Sequence, residues 1–385
     1  MRFGRIRFDR NELAGSFGDI GTDLPLIVGI ILAAGMESAG VFIVFGLMQI
    51  ATGLLYGLPM PMQPLKAMAV LVITQKIEGK VLLGGGLAIG AMMLILTLSG
   101  GLGLLLTWIP PCVVRGIQFG LGLSLASLAL KTYIPSAGAS GYALAGGGLL
   151  VMLLLWGNRR LPPGLFVIAL GLVYALATGL DTAAIADGFQ LALPTFHRIG
   201  WNDLWKGFLI LALPQIPLSL SNSVIATERT VRDLFPERPV SIRSIGLTYS
   251  IVNLVAPWFG GIPVCHGCGG LAGHYAFGAR TGGSVIVYGT LYLLIGLFLS
   301  KPLGEVLKIF PQPILGVVLL FEALTLLTLV RDQAQEPRNL RIALLVGVVA
   351  LTVPHGFAVA LVLGTLVFYA FRRFGGSSGE FEKAN

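Results

Sequence analysis

The sequence predicts an all-α polytopic membrane protein with fourteen transmembrane segments, arranged as two inverted repeats of seven. Three observations lead to this fold class. Hydrophobic residues make up 55% of the 385 residues, charged residues only 11%, and the mean hydropathy is +0.86, more than the core of a soluble domain requires. Arginines are distributed unevenly between alternate loops. Two segments that are too short to span occupy equivalent positions in the two halves.

Apolar runs bounded by Gly, Pro or charged residues define the segments. The first repeat, residues 1–180, contains segments near 13–34, 39–57, 64–76, 81–107, 112–132, 141–156 and 163–180. The second repeat, residues 206–373, contains segments near 206–226, 241–259, 266–277, 283–300, 312–330, 339–353 and 355–373. We expect residues 181–205 to link the repeats on the outer face, partly as an amphipathic surface helix, and residues 374–385 to form a cytoplasmic tail.

The loop charges fit fourteen crossings from a cytoplasmic amino terminus. Seventeen arginines fall in the loops predicted to be inside, against seven lysines and arginines in those predicted to be outside. The basic amino terminus is not followed by a small-residue cleavage site, so no cleavable signal is expected. The net charge of +8 is spread over short clusters between apolar segments, which argues against nucleic-acid binding. Three cysteines do not make a disulfide framework.

Segments 3 and 10 are the two short segments. About thirteen helical residues rise only ~20 Å, whereas the hydrocarbon core is ~30 Å thick. Each follows backbone that resists helix formation, "GLPMPMQP" (57–64) in the first half and "FGGIPVCHGCGG" (259–270) in the second. Irregular backbone at this depth must be buried in protein or line a cavity. Paired breaks in equivalent positions of inverted repeats predict a transporter whose substrate site lies where the breaks meet.

A helix that begins in mid-membrane offers free backbone N–H groups and the positive end of its dipole, so two such helix starts predict an anion site. We expect the donors near Met62–Leu65 and near His266–Gly269. Gly267 and Gly269 would let a ligand approach the backbone. Glycines further along segment 10 are explained equally well by close helix packing.

Two charged residues inside predicted segments need partners. Lys66 lies in the first turn of segment 3, where the helix dipole opposes a cation, so it requires an anion: Asp19, Asp23 or the ligand. The alternative is a structural ion pair that never contacts substrate. Glu322 on segment 12 is either a proton site or an interhelical hydrogen-bonding group, and the sequence does not decide between them.

Segment 8 is rich in neutral polar residues. The stretch "LPQIPLSLSNSVIA" (213–226) carries Gln215, Ser221 and Asn222 beside two prolines. Such donors suit an anion, and their density indicates a cavity lining. Hydrogen bonding between helices is the alternative for any one of them.

The segment 10 motif also raises the possibility of a metal. Cys265, His266, Cys268 and His274 could form a tetrahedral zinc set, but the order fits no haem attachment and no second cysteine pair exists, so we expect no metal. His266 is then a ligand-binding residue, a proton carrier or an interhelical histidine.

Four long motifs carry a family resemblance. They are "GSFGDIGTDLPL" (15–26), "PMPMQPLKAMAVLVI" (59–73), "LPQIPLSLSNSVIA" followed by "DLFPERPVSIRSIGL" (233–247), and "GGIPVCHGCGGLAGHYAFGARTG" (260–282). With these motifs in this order, the chain resembles the molybdate transporter family, which is related to the sulfate permeases. The short tail predicts that the carboxy-terminal regulatory domain of many sulfate permeases is missing here.

The resemblance implies a core domain of segments 1–4 and 8–11 and a gate domain of segments 5–7 and 12–14. It implies substrate bound between segments 3 and 10 with help from segments 1 and 8, alternating access by movement of core against gate, and a possible homodimer. The tail and the amino terminus would both be cytoplasmic, in the plasma membrane.

The predicted function is import of molybdate by a secondary active transporter, which is not an enzyme and needs no cofactor. Sulfate or tungstate could share the site, and a proton is the expected coupling ion. Alternatives are a sulfate transporter, an anion channel and an intramembrane metal-binding protein. The predicted substrate-binding residues are Thr22, Gln63, Lys66, Gln215, Ser221, Asn222, Cys265, His266, Gly267 and Gly269. The predicted proton-coupling candidates are Asp19, Asp23, His266 and Glu322.

Overall fold

A computed structural model of the chain describes residues 6–102, 108–155, 163–178, 189–301, 303 and 310–374. Within these ranges six helices are long and apolar enough to cross a membrane, and four shorter apolar helices accompany them. Helix occurs in each of the fourteen predicted segments. The number of crossings and the inverted relation of the halves stay predictions. Arg2, Arg5, Arg159, Arg160, Lys308 and residues 375–385, used in the loop-charge and tail predictions, lie outside the described residues.

Among the described residues, the regular elements of the first half are helices and one short strand. Its elements are α1 (Arg10–Gly15), α2 (Ile20–Ala34), α3 (Ser38–Tyr56), β1 (Met62–Pro64), α4 (Lys66–Gln75), α5 (Gly79–Leu98), α6 (Pro111–Leu128), α7 (Gly138–Leu154) and α8 (Pro163–Thr178). A π-helical turn (Ala129–Tyr133) and a 3-10 turn (Ile134–Ala137) join α6 to α7.

The second half repeats the pattern of one strand among helices. Its elements are α9 (Trp201–Gly207), α10 (Leu213–Leu218), α11 (Ala226–Leu234), α12 (Ile242–Val255), β2 (Val264–His266), α13 (Cys268–Ala276), α14 (Gly283–Phe298), α15 (Gln312–Thr328), α16 (Pro337–Thr352) and α17 (Gly356–Phe374). Two π-helical stretches, Phe208–Ala212 and Ser219–Ile225, join α9, α10 and α11 into one long helix.

The link between the halves differs from the prediction. Helix begins at Trp201, so the boundary predicted at residue 206 falls inside the long helix. Residues 189–200 contain no helix, and the amide of Ala192 donates to the Leu297 carbonyl at 2.8 Å. The expected amphipathic surface helix is therefore not in residues 189–200, and its presence elsewhere in the linker stays a prediction. Residues 179–188 lie outside the described residues.

The first segment is also interrupted. Short α1 ends at Gly15, and α2 starts only at Ile20. A Cβ on Gly15 would lie 2.5 Å from the Ala279 Cβ, and one on Gly18 would lie 2.5 Å from the Gly273 carbonyl carbon. The turn between the two helices thus passes directly against the backbone at the end of α13.

Glycines bring α3 and α14 into backbone contact along their length. A Cβ on Gly282, the residue before α14, would lie 2.0 Å from the Gly53 carbonyl oxygen, and one on Gly289 would lie 2.6 Å from that of Gly46. Small residues permit such close approach between membrane helices. Because α3 belongs to the first half and α14 to the second, this contact binds the two halves together.

A second glycine-mediated contact joins α6 to α16. A Cβ on Gly116 would lie 2.6 Å from the Ala343 carbonyl oxygen, and one on Gly120 would lie 3.2 Å from that of Gly347. Glycines therefore bring the backbones of both helix pairs close together, and in the α6–α16 pair the Val346 and Ala350 side chains also lie against them.

Candidate functional site

The two irregular stretches meet in an antiparallel two-stranded ribbon. Its register pairs Met62 with His266, Gln63 with Cys265 and Pro64 with Val264. The half-helices α4 and α13 begin within two residues of these strands. The sequence prediction that the breaks at residues 62–67 and 265–270 lie together is confirmed.

Side-chain amides satisfy the outer edges of the ribbon. Gln49 of α3 donates to the Met62 carbonyl at 2.6 Å and accepts from the Met62 amide at 2.9 Å. Asn253 of α12 makes the same pair of bonds to Val264, at 2.7 and 2.9 Å. Both side chains are fully buried. A strand edge away from water requires such partners, so these two residues hold the irregular backbone in place.

Replacing Gln49 with leucine is expected to lower stability, because the Met62 N–H and C=O would both lose their partner in a dry interior. Each buried unsatisfied group costs about 1–3 kcal/mol. The melting temperature of the purified protein in detergent measures this loss. Gln312→Leu, at an exposed helix start, is the matched control and should melt like wild type. Equal melting temperatures for both variants would contradict the role assigned to Gln49.

The first-turn amides of α4 are largely occupied by protein. The Oε1 atom of Gln215 accepts from the amides of Ala67 and Met68 at 2.9 and 3.3 Å. The Leu65 amide donates to the Pro263 carbonyl at 3.0 Å. The prediction that Met62–Leu65 donate to the ligand is wrong for both end residues, because Met62 and Leu65 bond to Gln49 and Pro263. Gln215 instead caps α4 and fixes its orientation.

The backbone amides at the start of α13 are less occupied by protein groups than those at the start of α4. Among the described residues, the amides of Cys268, Gly269 and Gly270 donate to no protein oxygen. A Cβ on Gly269 would have no atom within 4 Å, whereas one on Gly267 would collide with the Gln63 side chain. Free N–H groups at a helix start with open space before them form an anion-binding arrangement.

A cavity of about 370 Å³ lies in front of these amides. It is bounded by α2, β1 and α4 from the first half, by the long α9–α11 helix, β2 and α13 from the second, and by α6 and α15. Its polar or charged lining comprises Asp19, Thr22, Gln63, Lys66, Gln118, Gln215, Asn222, Ser223, Cys265, Cys268, Glu322 and Thr325, with Gly18, Gly267 and Gly269. This volume holds an oxyanion together with water.

The alternation of β2 separates two neighbouring residues that the sequence grouped together. Cys265 faces the cavity, opposite Gln63 in the ribbon. His266 points the other way, where its Nε2 lies 2.7 Å from the Thr248 hydroxyl and its ring packs edge-on against Tyr56. Successive side chains of a strand point to opposite faces. His266 is therefore an interhelical packing residue rather than part of the cavity wall.

Asp19 organises the first strand from α2. Both of its carboxylate oxygens accept from the Gln63 Nε2, at 2.8 and 2.7 Å. Asp23, one turn further on, is fully buried and accepts from the Tyr288 hydroxyl at 3.1 Å, while its Oδ1 has no hydrogen-bond partner in the part of the chain that the structure describes. Asp19 thus lines the cavity, and Asp23 lies behind it.

Lys66 pairs with Glu322, a predicted proton-coupling candidate that the sequence did not indicate as its partner. Its Nζ lies 2.7 Å from the Glu322 Oε1, so the partners expected for Lys66, Asp19 and Asp23, are not the ones it contacts. The Lys66 and Glu322 side chains are 27% and 13% exposed, and both reach the cavity. The pair connects half-helix α4 to α15 across the cavity.

Most of the predicted site is brought together. Eight predicted binding residues line the cavity: Thr22, Gln63, Lys66, Gln215, Asn222, Cys265, Gly267 and Gly269. Asp19 and Glu322 line it as well. His266, Asp23 and Ser221 do not; the Ser221 hydroxyl donates to the Pro217 carbonyl at 2.8 Å.

Sequence reasoning missed Gly18, Gln118 and Thr325 in the lining. Gln118 had a detectable signal, since it is a polar side chain within an apolar predicted segment. Cys265, His266, Cys268 and His274 form no common centre, and His274 instead contacts the Ser284 hydroxyl at 3.2 Å. Within the ranges that the structure covers, no three His, Cys, Asp or Glu residues are grouped for metal binding.

A cavity at paired half-helices, within a chain dominated by apolar helices, defines a multi-pass membrane transporter. Residues 11–125 and 207–326, together more than half of the chain, match the family described as "Molybdate transporter of MFS superfamily". The chain belongs to the molybdate transporter family.

Two individual relatives are also named as molybdate transporters. Molybdate transporter 2 of Arabidopsis thaliana is 35% identical over 371 residues, which covers 84% of this chain and 79% of the relative. Molybdate transporter 1 of the same plant is 33% identical over 373 residues, covering 83% of this chain and 80% of the relative. These relatives are named as transporters, not as enzymes.

Two solved structures share this fold. SLC26A9 superposes with a TM-score of 0.71 at 13% identity over 94% of this chain, which spans 65% of that protein's chain. The transmembrane domain of the cyanobacterial bicarbonate transporter BicA gives a TM-score of 0.65 at 18% identity, covering 93% of this chain and 95% of the domain. At these identities the likeness establishes the fold alone.

Proposed function

We propose that this protein is a secondary active transporter that imports molybdate across the plasma membrane, with both termini in the cytoplasm. The observation that carries the proposal is the cavity where the open amides of α13 and the ammonium of Lys66 face a common space. Membership of the molybdate transporter family supports the choice of substrate.

The lining suits a tetrahedral dianion. Lys66 supplies the positive charge, and the amides of Cys268 and Gly269 supply donors from the positive end of a helix dipole. Neutral side chains complete the shell, with Asn222 and Ser223 on the long helix and Thr22 on α2. Hydrogen bonds to a charged ligand are stronger than neutral ones, so this donor set favours an oxyanion over an uncharged solute.

Alternating access requires two bodies that move relative to one another. The glycine-mediated α3–α14 and α6–α16 contacts support a core body and a gate body, because each pair packs backbone to backbone and leaves little freedom inside a body. The cavity lies between them, with Lys66 from the proposed core and Glu322 from the proposed gate.

The exit route to the cytoplasm is proposed from a second cavity of about 210 Å³. Asn222 lines both cavities, and Arg115 and Asp332 line the second. Arg115 also donates to Gln118 in the first cavity at 2.9 Å. The loop of Arg331 next to Asp332 is among those predicted to be inside. We infer that this arginine-rich side receives the released anion.

Uptake of a dianion against a negative interior costs about 2.3 kcal/mol per charge for each 100 mV. We therefore propose that uptake is coupled to an ion, with the proton as first choice.

Sulfate is the second candidate substrate, because it is also a tetrahedral dianion and the same donor set would accept it. Homodimerisation is a proposal from family resemblance.

Titration calorimetry of molybdate, sulfate and bicarbonate into the purified protein tests the substrate. We expect molybdate to bind more tightly than sulfate, and labelled molybdate to enter proteoliposomes in competition with unlabelled molybdate. Tighter sulfate binding would reassign the protein as a sulfate transporter. Binding of neither dianion would overturn the proposed site, and currents far above carrier turnover would indicate a channel.

A further inference from the structure

The ion pair between Lys66 and Glu322 crosses the proposed substrate cavity. The Nζ to Oε1 distance is 2.7 Å, and in the described part of the chain neither group has another hydrogen-bond partner. Both side chains are exposed to the cavity rather than sealed in the protein. An entering anion therefore meets a lysine that is already neutralised by a carboxylate.

The charges around the cavity do not suit a dianion as they stand. Its charged lining residues are Lys66, Asp19 and Glu322, which carry a net charge of minus one when all three are ionised. A bound dianion would bring the total to minus three in a low-dielectric setting, where repulsion between like charges is large. Binding therefore requires that negative charge be removed from the lining.

Asp19 and Glu322 differ in the hydrogen-bond partner that each carboxylate would lose when an anion binds. The Asp19 carboxylate is bonded to the Gln63 amide, which donates to both of its oxygens and belongs to the ribbon rather than to a charged group that the anion would attract. Among the residues that the structure covers, the Glu322 carboxylate bonds only to Lys66, the group best placed to turn toward the anion. A carboxylate stripped of its partner beside two new negative charges favours its protonated form.

We propose that Glu322 takes up one proton from the solvent that fills the cavity each time the oxyanion displaces it from Lys66. This inference rests on the proposed function. On release of the anion the proton leaves Glu322, and the ammonium of Lys66 returns to the carboxylate. Anion and proton then travel together, and one proton offsets one of the two charges carried by the dianion.

Other titratable or charged groups surround the pair and must be considered in any pH dependence. They are Asp19 and Asp23 on α2, Cys265 and Cys268 beside α4, and Arg115 on α6. The Arg115 guanidinium is engaged by Asp332 and Gln118. Glu322 is distinguished from the two aspartates because it contacts Lys66, the cation that the ligand requires.

Calorimetric titration of molybdate in buffers with different protonation enthalpies counts the protons taken up on binding. We expect about one proton per anion for wild type and an affinity that falls as the pH rises, by up to tenfold for each pH unit over which a full proton is taken up. Glu322→Gln should bind molybdate with about one proton fewer and a correspondingly flatter pH dependence, and more tightly than wild type at the alkaline end. Its neutral amide still accepts from Lys66, so folding should be kept, as an unchanged melting temperature verifies.

Glu228→Gln is the matched control, because Glu228 pairs with Arg232 on α11 and does not line the cavity. It should take up the same number of protons as wild type. If the Glu322 variant binds molybdate with undiminished proton uptake, or wild type binds it with none, the exchange at Glu322 is overturned. Absence of molybdate binding in every variant, wild type included, would instead remove the proposed function.

Discussion

Replacing Lys66 with alanine is expected to weaken molybdate binding by about 10- to 100-fold, since a hydrogen bond to a charged group contributes roughly 1.5–3 kcal/mol. Lys66 is the only cation among the described lining residues of the cavity. Its charge also lies at the start of α4, where the helix dipole disfavours a cation without an anionic neighbour. Titration calorimetry of the purified variant measures the loss.

Loss of Lys66 also leaves Glu322 unpaired, so weaker binding must be separated from damage to the fold. The double variant Lys66→Gln with Glu322→Gln replaces the ion pair by a neutral hydrogen-bonded pair. We expect it to melt near the wild-type temperature and still to bind molybdate weakly. Lys206→Ala, an exposed cation on α9, controls for net charge and should bind normally. An affinity in the double variant equal to that of Glu322→Gln alone would exclude Lys66 from the site.

Gly269→Leu is expected to abolish molybdate binding, by at least about 100-fold, while leaving the melting temperature unchanged. The Cβ position of Gly269 has no atom within 4 Å and faces the cavity, so the new side chain fits the protein but occupies the anion's space. It would deprive the ligand of at least two charged hydrogen bonds. Binding and thermal denaturation, measured on the same preparation, check both halves of this expectation.

Gly267→Ala provides the contrast, two residues earlier. Its Cβ would lie 1.3 Å from the Gln63 Oε1, so this smaller substitution must displace Gln63 from Asp19 and lower the melting temperature. If Gly269→Leu retains wild-type affinity, the open amides of α13 do not contact the anion. If it lowers the melting temperature as Gly267→Ala does, the space before Gly269 is not free.

The breaks in segments 3 and 10 could be predicted from sequence because their signals are local. Proline and glycine before residues 66 and 268 prevent helix, and the remaining helices are too short to span. The meeting of the two breaks followed from their equivalent positions in the two halves. The hydrogen bonds from the Gln49 and Asn253 side chains to the ribbon backbone could not be predicted in the same way. Such bonds depend on how separate helices are placed relative to one another.

The partner of Lys66 illustrates the same limit. Glu322 lies 256 residues away in sequence, and nothing local indicates which of several carboxylates reaches the ammonium. The position of His266, by contrast, was within reach of sequence reasoning. Treating residues 264–266 as a strand would have placed Cys265 and His266 on opposite faces. The motif was interpreted instead as the start of a helix, where both could face a ligand.

The ribbon of β1 and β2 restricts how far the anion site can change during transport. Its two strands come from different halves of the chain and are hydrogen-bonded to each other, and Gln49 and Asn253 lock their outer edges. The first turns of α4 and α13 are thereby held at a fixed distance from each other. We therefore expect the anion site between them to keep its geometry throughout the transport cycle. The selectivity among oxyanions would then be the same whichever side of the membrane the site faces. Equilibrium exchange measured from either face would rank the oxyanions by affinity in the same order.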